Sequence, residues 1–359
     1  MKIDFYISSL SGGGAEKVLT TLAKAFAKDG HEVSVISLEK RPQFYTVDES
    51  VALIKYVNKK YGIGGMLEDI LNIRKHLKAS KADVSVSFLS RCNLAVLLAS
   101  MFRKGKVVVC DRNNPLKEHG KSVFLLSNLL YMRADRVMVQ TEQIKGFYKR
   151  FLQKKIGVIE NPLDKEVLDG QLQGRNPARE KTILSMGRLE PQKDFKTLIY
   201  SFKTISDKYS EWKVKIFGVG DGKKELEELI DSLGLKERVL LCGRTETPFY
   251  EMSKASIFVL SSYYEGFPNV LCEAMYAGAL CIASDCVSGP RELIQENENG
   301  WLFQVEDRDR LTQFMECCIT QEEQLEHVRE NAKDSVKRLY LENNLQLWKE
   351  MINEVVRKE

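Results

Sequence analysis

Short apolar runs alternate with longer amphipathic segments along the chain. Between the runs, segments such as 15–30 repeat apolar residues at the spacing of one helix face. Runs that are apolar throughout are typical of strands buried on both faces, so the alternation predicts parallel sheets covered by helices on both sides. In the first half of the chain the β-branched runs occupy 2–8, 32–38, 83–88, 106–111, 136–140 and 156–161.

The pattern restarts after a polar stretch at 168–181, which has the composition of a linker. A chain of 359 residues also exceeds what one hydrophobic core usually supports. We therefore predict an α/β protein with two Rossmann-like domains, 1–165 and 166–335, whose parallel sheets face a central cleft. A C-terminal helix within 336–359 is expected to pack back on the N-terminal domain. The runs of the second domain occupy 182–187, 213–218, 238–243, 257–262, 280–285 and 301–305.

The net charge is only +4, but it is unevenly distributed. Residues 1–160 hold 27 Lys and Arg against 15 Asp and Glu, whereas residues 161–359 hold 27 against 35. Many of the N-terminal cations alternate with apolar residues, as in 75–81 and 146–155. Such segments suit an anionic membrane surface or an anionic substrate, although they also fit solvated helix faces. Because no nucleic-acid recognition motif accompanies the charge, nucleic acid is not expected as a partner.

Cysteine usage and the N-terminus indicate a cytoplasmic protein. The eight cysteines lie mostly within apolar runs and include no C-x-x-C pair, which predicts buried thiols and neither a disulfide framework nor a metal site. The sequence contains no run of 18 apolar residues, and it begins with a strand-like segment where a secreted protein would carry a signal peptide.

Several loops at the predicted strand ends are candidates for binding phosphate. The segment 8–18 sets three glycines before a helix, where backbone N–H groups suit an anion, although a plain turn is the alternative. In 187–193, Arg188 and Lys193 follow a strand and together can hold a diphosphate. Two further strands end in the glycine-rich loop 217–222 and in 242–246.

The segment 265–273, EGFPNVLCE, brackets a predicted helix start with two glutamates. Pro268 suits the first helical position, and Gly278 suits the end of the helix. The free N–H groups of residues 269–271 would then face a phosphate, with Glu265 and Glu273 flanking it to accept hydrogen bonds from vicinal hydroxyls. The alternative interpretation is that Glu265 is only a charge at the start of the helix and that Glu273 is a surface residue.

Taken together, these motifs resemble the retaining family-4 glycosyltransferases of the GT-B fold, with the similarity running over essentially the whole chain. The features that carry the resemblance are E-G-F-P-N-V-L-C-E-A-M, G-R-x-x-x-x-K before it, the N-terminal G-G-A-E and I-E-N-P at 159–162. The family implies transfer of a sugar from a nucleotide donor with retained anomeric configuration, no metal ion and no cofactor. It also implies an acceptor-binding N-terminal domain and a nucleotide-sugar-binding C-terminal domain.

Carried over by position, the resemblance assigns catalytic roles to Arg188, Lys193 and Glu265. Arg188 and Lys193 would neutralise the donor diphosphate, and Glu265 would bind the hydroxyls of the donor sugar. Glu273 would bind the ribose hydroxyls. The other implied donor-binding residues are Gly187, Gly218, Gly243, Arg244, Gly266, Phe267, Pro268, Asn269 and Val270.

Two N-terminal segments are implied on the acceptor and phosphate side, and one departs from the family pattern. Many relatives place a histidine where this chain has Arg112, and His119 is a candidate substitute, although a lone loop histidine is more often solvated. The residues implied on this side are Gly13, Gly14, Glu16, Asp111, Arg112 and Asn113.

The resemblance implies an undecaprenyl-diphosphate-linked oligosaccharide as acceptor, met by a peripheral protein at the cytoplasmic face of the membrane. The implied donors are UDP-GalNAc, UDP-GlcNAc, UDP-Gal and UDP-Glc, with a GDP-sugar left open. The alternatives are a nucleotide-sugar epimerase-like enzyme and a non-catalytic nucleotide-sugar-binding protein. The presence of both Glu265 and Arg188 argues against the second.

Overall fold

The computed structural model describes residues 1–38, 43–56, 62–102, 105–112, 114, 124–125 and 127–357, apart from the side chain of residue 63. The chain divides into two compact units. Unit 1 comprises Met1–Pro162 and Leu341–Glu359, and unit 2 comprises Leu163–Tyr340. The chain therefore leaves unit 1 after Pro162 and returns after Tyr340, where the sequence had suggested boundaries after residues 165 and 335.

Unit 1 is built on a parallel sheet of seven described strands in the order β3-β2-β1-β4-β5-β6-β7. All six strands predicted in this half are present. The sequence missed β3, because its four residues are half-buried or exposed and form no strong apolar run. The strands are β1 (Lys2–Ile7), β2 (Glu32–Ser37), β3 (Ala52–Lys55), β4 (Val84–Phe88), β5 (Lys106–Cys110), β6 (Arg136–Val139) and β7 (Ile156–Val158).

The helices of unit 1 cover the sheet with their apolar faces. The first shows the principle: Val18, Leu19, Leu22 and Phe26 recur at helical spacing and are almost fully buried against the sheet. Burying each such side chain contributes about 1.5–3 kcal/mol. The described helices that precede unit 2 are α1 (Gly14–Lys28), α2 (Gly62–Ser80), α3 (Ser90–Ala99), α4 (Glu142–Phe147) and α5 (Arg150–Gln153).

Unit 2 contains a second parallel sheet, of six strands in the order β10-β9-β8-β11-β12-β13. All six strands predicted for this half are present. They are β8 (Glu180–Met186), β9 (Lys213–Phe217), β10 (Val239–Gly243), β11 (Ala255–Leu260), β12 (Leu280–Ser284) and β13 (Trp301–Phe303).

The first helix of unit 2 begins just before the predicted linker and runs into it. The prediction of a linker at 168–181 was wrong for its first residues, because a helix starts at Lys165, is capped by the Asp164 carboxylate and buries Leu168. The helices are α6 (Lys165–Leu172), α7 (Phe195–Ser206), α8 (Lys223–Ser232), α9 (Pro248–Lys254), α10 (Asn269–Tyr276), α11 (Pro290–Leu293), α12 (Arg308–Thr320) and α13 (Glu326–Ser335).

The last helix, α14 (Leu341–Arg357), completes unit 1. Trp348 is fully buried and stacks on Phe88 at the end of β4, with ring centroids 6.3 Å apart. Ile352 and Val355 continue the same face of the helix into the core formed by β1 and α1. Of the helices that the structure describes, none is both long and apolar enough to cross a bilayer.

Strand order locates the ligand-binding edge of each sheet. In unit 2 the strand order reverses between the parallel neighbours β8 and β11, and open parallel sheets bind ligands at the carboxyl ends of the strands beside such a reversal of order. The loops at this position are 187–194 after β8 and 261–268 after β11. The corresponding reversal in unit 1 lies between β1 and β4.

Candidate functional site

A buried ion pair joins the two loops at the sheet reversal of unit 2. Lys193 Nζ lies 2.6 Å from Glu265 Oε1, and the two side chains are only 14% and 8% exposed. Ser262 donates its hydroxyl hydrogen to the same carboxylate oxygen at 2.6 Å. The structure therefore brings together two residues that are 72 positions apart in the chain and that were both predicted in the site.

Arg188 belongs to the same loop as Lys193 but faces solvent. Its guanidinium donates to Glu190 Oε1 at 2.8 Å, and the side chain is 61% exposed. The loop itself is fixed by Gln192, whose side-chain amide donates to the carbonyl of Tyr264 at 2.8 Å. Arg188 is thus an exposed cation on an anchored loop, and its weak surface ion pair leaves it available to an anionic ligand.

Three predicted glycines meet behind this loop. The amide of Gly187 donates to Phe217 O at 3.0 Å, and the amide of Gly218 donates to Gly243 O at 2.8 Å. A Cβ on Gly218 would lie 1.8 Å from the carbonyl oxygen of Gly187, and the φ of Gly218 is +151°. Only glycine fits there, so the ends of β8, β9 and β10 pack more closely than any other residue allows. Arg244 follows Gly243 directly and is exposed.

The helix after Glu265 begins one residue later than predicted. Pro268 is the capping residue before α10 and not its first residue. The prediction of free amides at 269–271 was wrong for two of the three, because Asn269 N donates to Phe267 O at 3.0 Å and Leu271 N donates to Pro268 O at 2.9 Å. For the Val270 amide, no backbone hydrogen bond is found among the described residues.

The rest of the 265–273 motif is buried and held in place. Glu273 lies in the second turn of α10 and is 8% exposed, so it is not the surface residue of the alternative interpretation. The Ser288 hydroxyl donates to the carbonyl of Gly266 at 2.9 Å, and Phe267 is buried. A Cβ on Gly289 would lie 2.5 Å from Pro268 Cδ, so the loop after β12 presses closely on the motif.

Sequence reasoning did not single out Ser262 and Ser288. Both are short polar residues in loops, and only the fold brings their hydroxyls to Glu265 and Gly266. The available signal was their position at the end of the predicted strand 257–262 and just past the predicted strand 280–285. Cys286 lies in the same loop as Ser288. Its pKa is raised to about 12, chiefly by burial and to a smaller extent by the charge of Glu265. Cys286 therefore remains a thiol at neutral pH.

The N-terminal glycine loop of unit 1 is occupied by its own glutamate. The Glu16 carboxylate accepts hydrogen bonds from the amides of Gly12 and Gly13, the latter at 3.0 Å, and from the Ser9 hydroxyl at 2.8 Å. The prediction that these amides present a phosphate site is therefore wrong for this conformation, because a carboxylate already fills it. Gly14 is the first residue of α1 and follows the occupied amides.

Asp111 and Arg112 are buried just past the end of β5. Asp111 accepts hydrogen bonds from Ser90, Asn93, Tyr131 and Tyr148, which fix its carboxylate within unit 1.

The Arg112 guanidinium donates to Asn161 Oδ1 at 2.8 Å, and burial lowers its pKa below the usual value for arginine. The predicted residues Asn113 and His119 lie outside the described part of the chain. Within that part, no three His, Cys, Asp or Glu side chains are grouped so that they could hold a metal ion.

Two family models together match almost the whole chain. Residues 12–167 match Glycosyltransferase Family 4, and residues 172–335 match Glycosyl transferases group 1.

Among curated relatives, a transferase of Campylobacter jejuni is 30% identical, with 99% of each chain covered; it is named as adding α-1,4-N-acetyl-D-galactosamine to a GalNAc-GalNAc-diNAcBac-PP-undecaprenol. A second C. jejuni N-acetylgalactosaminyltransferase, which acts on a diphospho-undecaprenol glycan, is 28% identical over 94% of this chain and 95% of its own.

Solved structures show the same fold. Anabaena HepE in complex with UDP and glucose superposes with a TM-score of 0.85 at 21% identity, covering 99% of this chain and all of its own. A sucrose-phosphate synthase from Thermosynechococcus elongatus gives 0.86 at 17% identity, with both chains fully covered. These matches establish the GT-B fold. With the family models and the full-length similarity, they show that this chain is a glycosyltransferase and belongs to family 4.

Proposed function

We propose that the protein moves a hexose or N-acetylhexosamine from a UDP-sugar to a glycan carried on undecaprenyl diphosphate, with retained anomeric configuration and without a metal ion. The observation that carries the proposal is the Lys193–Glu265 pair, which sets an ammonium and a carboxylate side by side at the ends of β8 and β11. The two C. jejuni relatives, whose names give acceptors of this class, support the acceptor. GalNAc is our first choice of sugar for the same reason.

In this proposal, cations of unit 2 stabilise the leaving diphosphate. Negative charge develops on the diphosphate as its bond to the sugar breaks, and charge-assisted hydrogen bonds from Arg188 and Lys193 stabilise that charge. These two side chains take the part that a divalent cation plays in metal-dependent transferases. The glycine-lined ends of β8, β9 and β10 allow the nucleotide to lie close to the backbone.

The carboxylates of the motif orient the donor. Glu265 accepts hydrogen bonds from hydroxyls of the transferred sugar, and Glu273 from those of the ribose. We propose a front-face displacement: the bond from the anomeric carbon to the leaving phosphate oxygen breaks, and the acceptor oxygen forms a bond on the same face. The departing phosphate takes the proton of the acceptor hydroxyl, which makes a separate nucleophile or strong base unnecessary.

A patch on unit 1 supports contact with an anionic membrane. Leu125, Leu129 and Met132 are each more than half exposed, and their spacing of four and three residues places them on one side of a helical turn. Phe151, in α5, is 53% exposed, and the residue before α5 contacts the same helical segment through a hydrogen bond of 3.2 Å from Lys149 N to Asn128 Oδ1. We call these four apolar residues, with the exposed cations Lys149, Arg150 and Lys154, the apolar-basic patch.

Exposed apolar side chains accompanied by exposed cations are suited to the interface of an anionic bilayer. Binding there would hold the enzyme at the surface where a lipid-linked acceptor is found. The proposed location is therefore peripheral, at the cytoplasmic face.

Product analysis tests the function. Wild-type enzyme would be incubated with each UDP- and GDP-sugar and a synthetic polyprenyl-diphosphate glycan in micelles, with EDTA present. We expect one UDP-sugar to extend the glycan by mass spectrometry, with an α linkage by NMR. An extended product of inverted configuration would contradict the retaining mechanism. Conversion of the UDP-sugar without extension of the glycan would favour the epimerase-like alternative.

A further inference from the structure

Arg112 of unit 1 carries two buried hydrogen-bond donors without a partner. Its Nε and Nη2 make no hydrogen bond in the described part of the chain, although the residue is only 7% exposed. These two nitrogens form the side-on fork of a guanidinium, the arrangement that matches two oxygens of a carboxylate or phosphate. The fork is therefore left open while the rest of the side chain is engaged.

The surroundings hold the guanidinium in one orientation. Nη1 donates to Asn161 Oδ1 at 2.8 Å, and the guanidinium carbon lies 4.5 Å from the Phe88 ring centroid and 5.4 Å from that of Trp348. Asn344, one turn before Trp348 on α14, donates to the carbonyl of Glu160 at 2.6 Å and ties the helix to this place. A side chain fixed on several sides loses little freedom when it binds a ligand.

Among the described residues no carboxylate forms an ion pair with Arg112, although the charge of the neighbouring Asp111 favours the charged guanidinium. The adjacent Asp111 is engaged by four other side chains, and it makes no ion pair with Arg112 among the described residues. A buried charge without a direct ion-pair partner is unfavourable, and buried charged groups of this kind cluster at functional sites. The position just past the carboxyl end of β5 is also where parallel sheets bind ligands.

Other buried polar atoms in this part of unit 1 indicate which further groups the ligand carries besides the anion. Within the described part of the chain, the indole Nε1 of Trp348 is a third buried donor without a hydrogen-bond partner, and Gln140 Oε1 and Asn344 Oδ1 are buried acceptors without one. Gln140 contacts the Arg112 carbonyl through its amide nitrogen at 3.4 Å. A phosphate that carries neighbouring hydroxyl groups offers both acceptors and donors to such a set.

We propose that Arg112 binds a phosphate oxyanion of a substrate through its Nε–Nη2 fork, and that Asn161 and Trp348 are positioning residues for that fork. The inference rests on the proposed function, which supplies two sources of phosphate: the diphosphate of the lipid-linked acceptor and that of the nucleotide-sugar. Because the fork is buried, an anion that reaches it is bound out of water, where charge-assisted hydrogen bonds are strongest.

The test is calorimetric titration of the full chain with inorganic pyrophosphate at low salt. Four forms are compared: wild type, Arg112→Met, Arg188→Ala and the double variant. We expect two pyrophosphates per wild-type chain, one in each single variant and none in the double variant. Loss of a charged bidentate contact corresponds to about a 10- to 100-fold weaker site. Arg91→Met, which removes a half-exposed arginine paired with Asp69, should keep both sites.

Stability separates a ligand-binding arginine from a structural one. Without ligand, we expect Arg112→Met to melt at or above the wild-type temperature, since it removes a buried charge that forms no ion pair among the described residues. A structural arginine would give a lower melting temperature. If Arg112→Met does not fold, Arg112→Lys keeps the charge but lacks the fork, and it should also lose one pyrophosphate.

Steady-state kinetics assign the source of the phosphate. A rise in KM for the lipid-linked acceptor alone would assign the fork to the acceptor, and a rise in KM for the UDP-sugar alone would assign it to the donor. Folded Arg112 variants that bind pyrophosphate as the wild type does would overturn the proposal. Failure of Arg188→Ala to remove the other pyrophosphate would count against the donor site and not against this one.

Discussion

Lys193 and Glu265 form a nearly buried ion pair that ties the loop after β8 to the loop after β11, with Nζ 2.6 Å from Oε1. The pair has an exposed counterpart in the same unit, Lys196 and Glu225, whose side chains are 44% and 62% exposed. Both pairs join a lysine to a glutamate at a similar distance and differ mainly in burial. Comparing them therefore shows how burial changes the contribution of an ion pair to stability.

We expect Lys193→Ala to lower the free energy of unfolding by about 1–3 kcal/mol, because among the described residues it leaves the buried Glu265 carboxylate with only the Ser262 hydroxyl as a hydrogen-bond partner. The control Lys196→Ala should cost at most about 0.5 kcal/mol. Urea unfolding of both variants measures the difference. Equal, small effects would show that the buried pair contributes no more than a surface one.

Arg188→Ala should lower kcat/KM by about 100- to 1000-fold, the usual effect of removing one donor that stabilises developing negative charge. The melting temperature should not change, since the side chain is 61% exposed and paired only at the surface. The matched control is Arg310→Ala, an exposed arginine on α12 that donates to Gln313. Near-normal turnover of Arg188→Ala would remove Arg188 from the proposed mechanism.

Gly218→Ala should disrupt the donor loops. A Cβ at this position would meet the Gly187 carbonyl oxygen at 1.8 Å, so the ends of β8 and β9 must separate. Gly234→Ala is the control, because its φ of +69° is also strained but no atom lies within 4 Å of the new Cβ. It should cost only the backbone strain, about 1–3 kcal/mol. UDP binding by calorimetry should be lost in Gly218→Ala and kept in Gly234→Ala.

The pH dependence of stability should include a contribution from Asp194. Its Oδ1 caps α7 through the Thr197 amide at 3.3 Å, while Oδ2 is buried without a hydrogen-bond partner among the described residues. Burial raises the pKa of this carboxyl above the ordinary value for aspartate. The folded protein therefore disfavours the charged form of Asp194. Its contribution to the free energy of unfolding is fully present at acid pH, below the unfolded pKa, and is lost as the pH rises through the raised pKa of the folded state.

Asp194→Asn should remove that loss, since asparagine keeps the cap and tolerates the φ of 42°. We expect its melting temperature to exceed that of the wild type at neutral pH, with the gain shrinking as the pH falls. Asp207→Asn, at a side chain that is 91% exposed, should show no such trend. A gain of Asp194→Asn that grows toward acid pH would reverse the sign and contradict the assignment.

The apolar-basic patch should govern binding to anionic vesicles. Replacing Leu125 and Leu129 together by serine should weaken binding about tenfold, because each leucine loses part of its burial at the interface. The control Leu347→Ser, at an exposed leucine of α14, should bind as the wild type does. Co-sedimentation with vesicles of anionic and of neutral lipid measures both. Equal binding of all forms would place the membrane contact elsewhere.

The sequence predicted the strands well because parallel strands are buried on both faces, as β4 and β11 show by burying every residue. It missed β3, where burial is partial and the apolar pattern is weak. Since parallel strands share one edge, their ends also located the loops that hold Arg188, Glu265 and Gly218.

Side-chain pairing was beyond the reach of the sequence, because it depends on backbone conformation and distant contacts. Gly12 adopts a φ of +119°, and its amide donates to the Glu16 carboxylate. The loop that the sequence predicted to bind phosphate is therefore occupied by a carboxylate of the protein itself. The open fork of Arg112 similarly depends on Asn161 and on α14, which returns from the other end of the chain.

The most direct test of the proposed function is the release of UDP from UDP-GalNAc, measured with and without a synthetic undecaprenyl-diphosphate glycan, in EDTA. We predict that release depends on the glycan in the wild type and falls by about 100-fold or more in Arg188→Ala. Binding of UDP-sugars without glycan-dependent release, for every UDP-sugar tried and for any lipid-linked glycan, would contradict the proposed function.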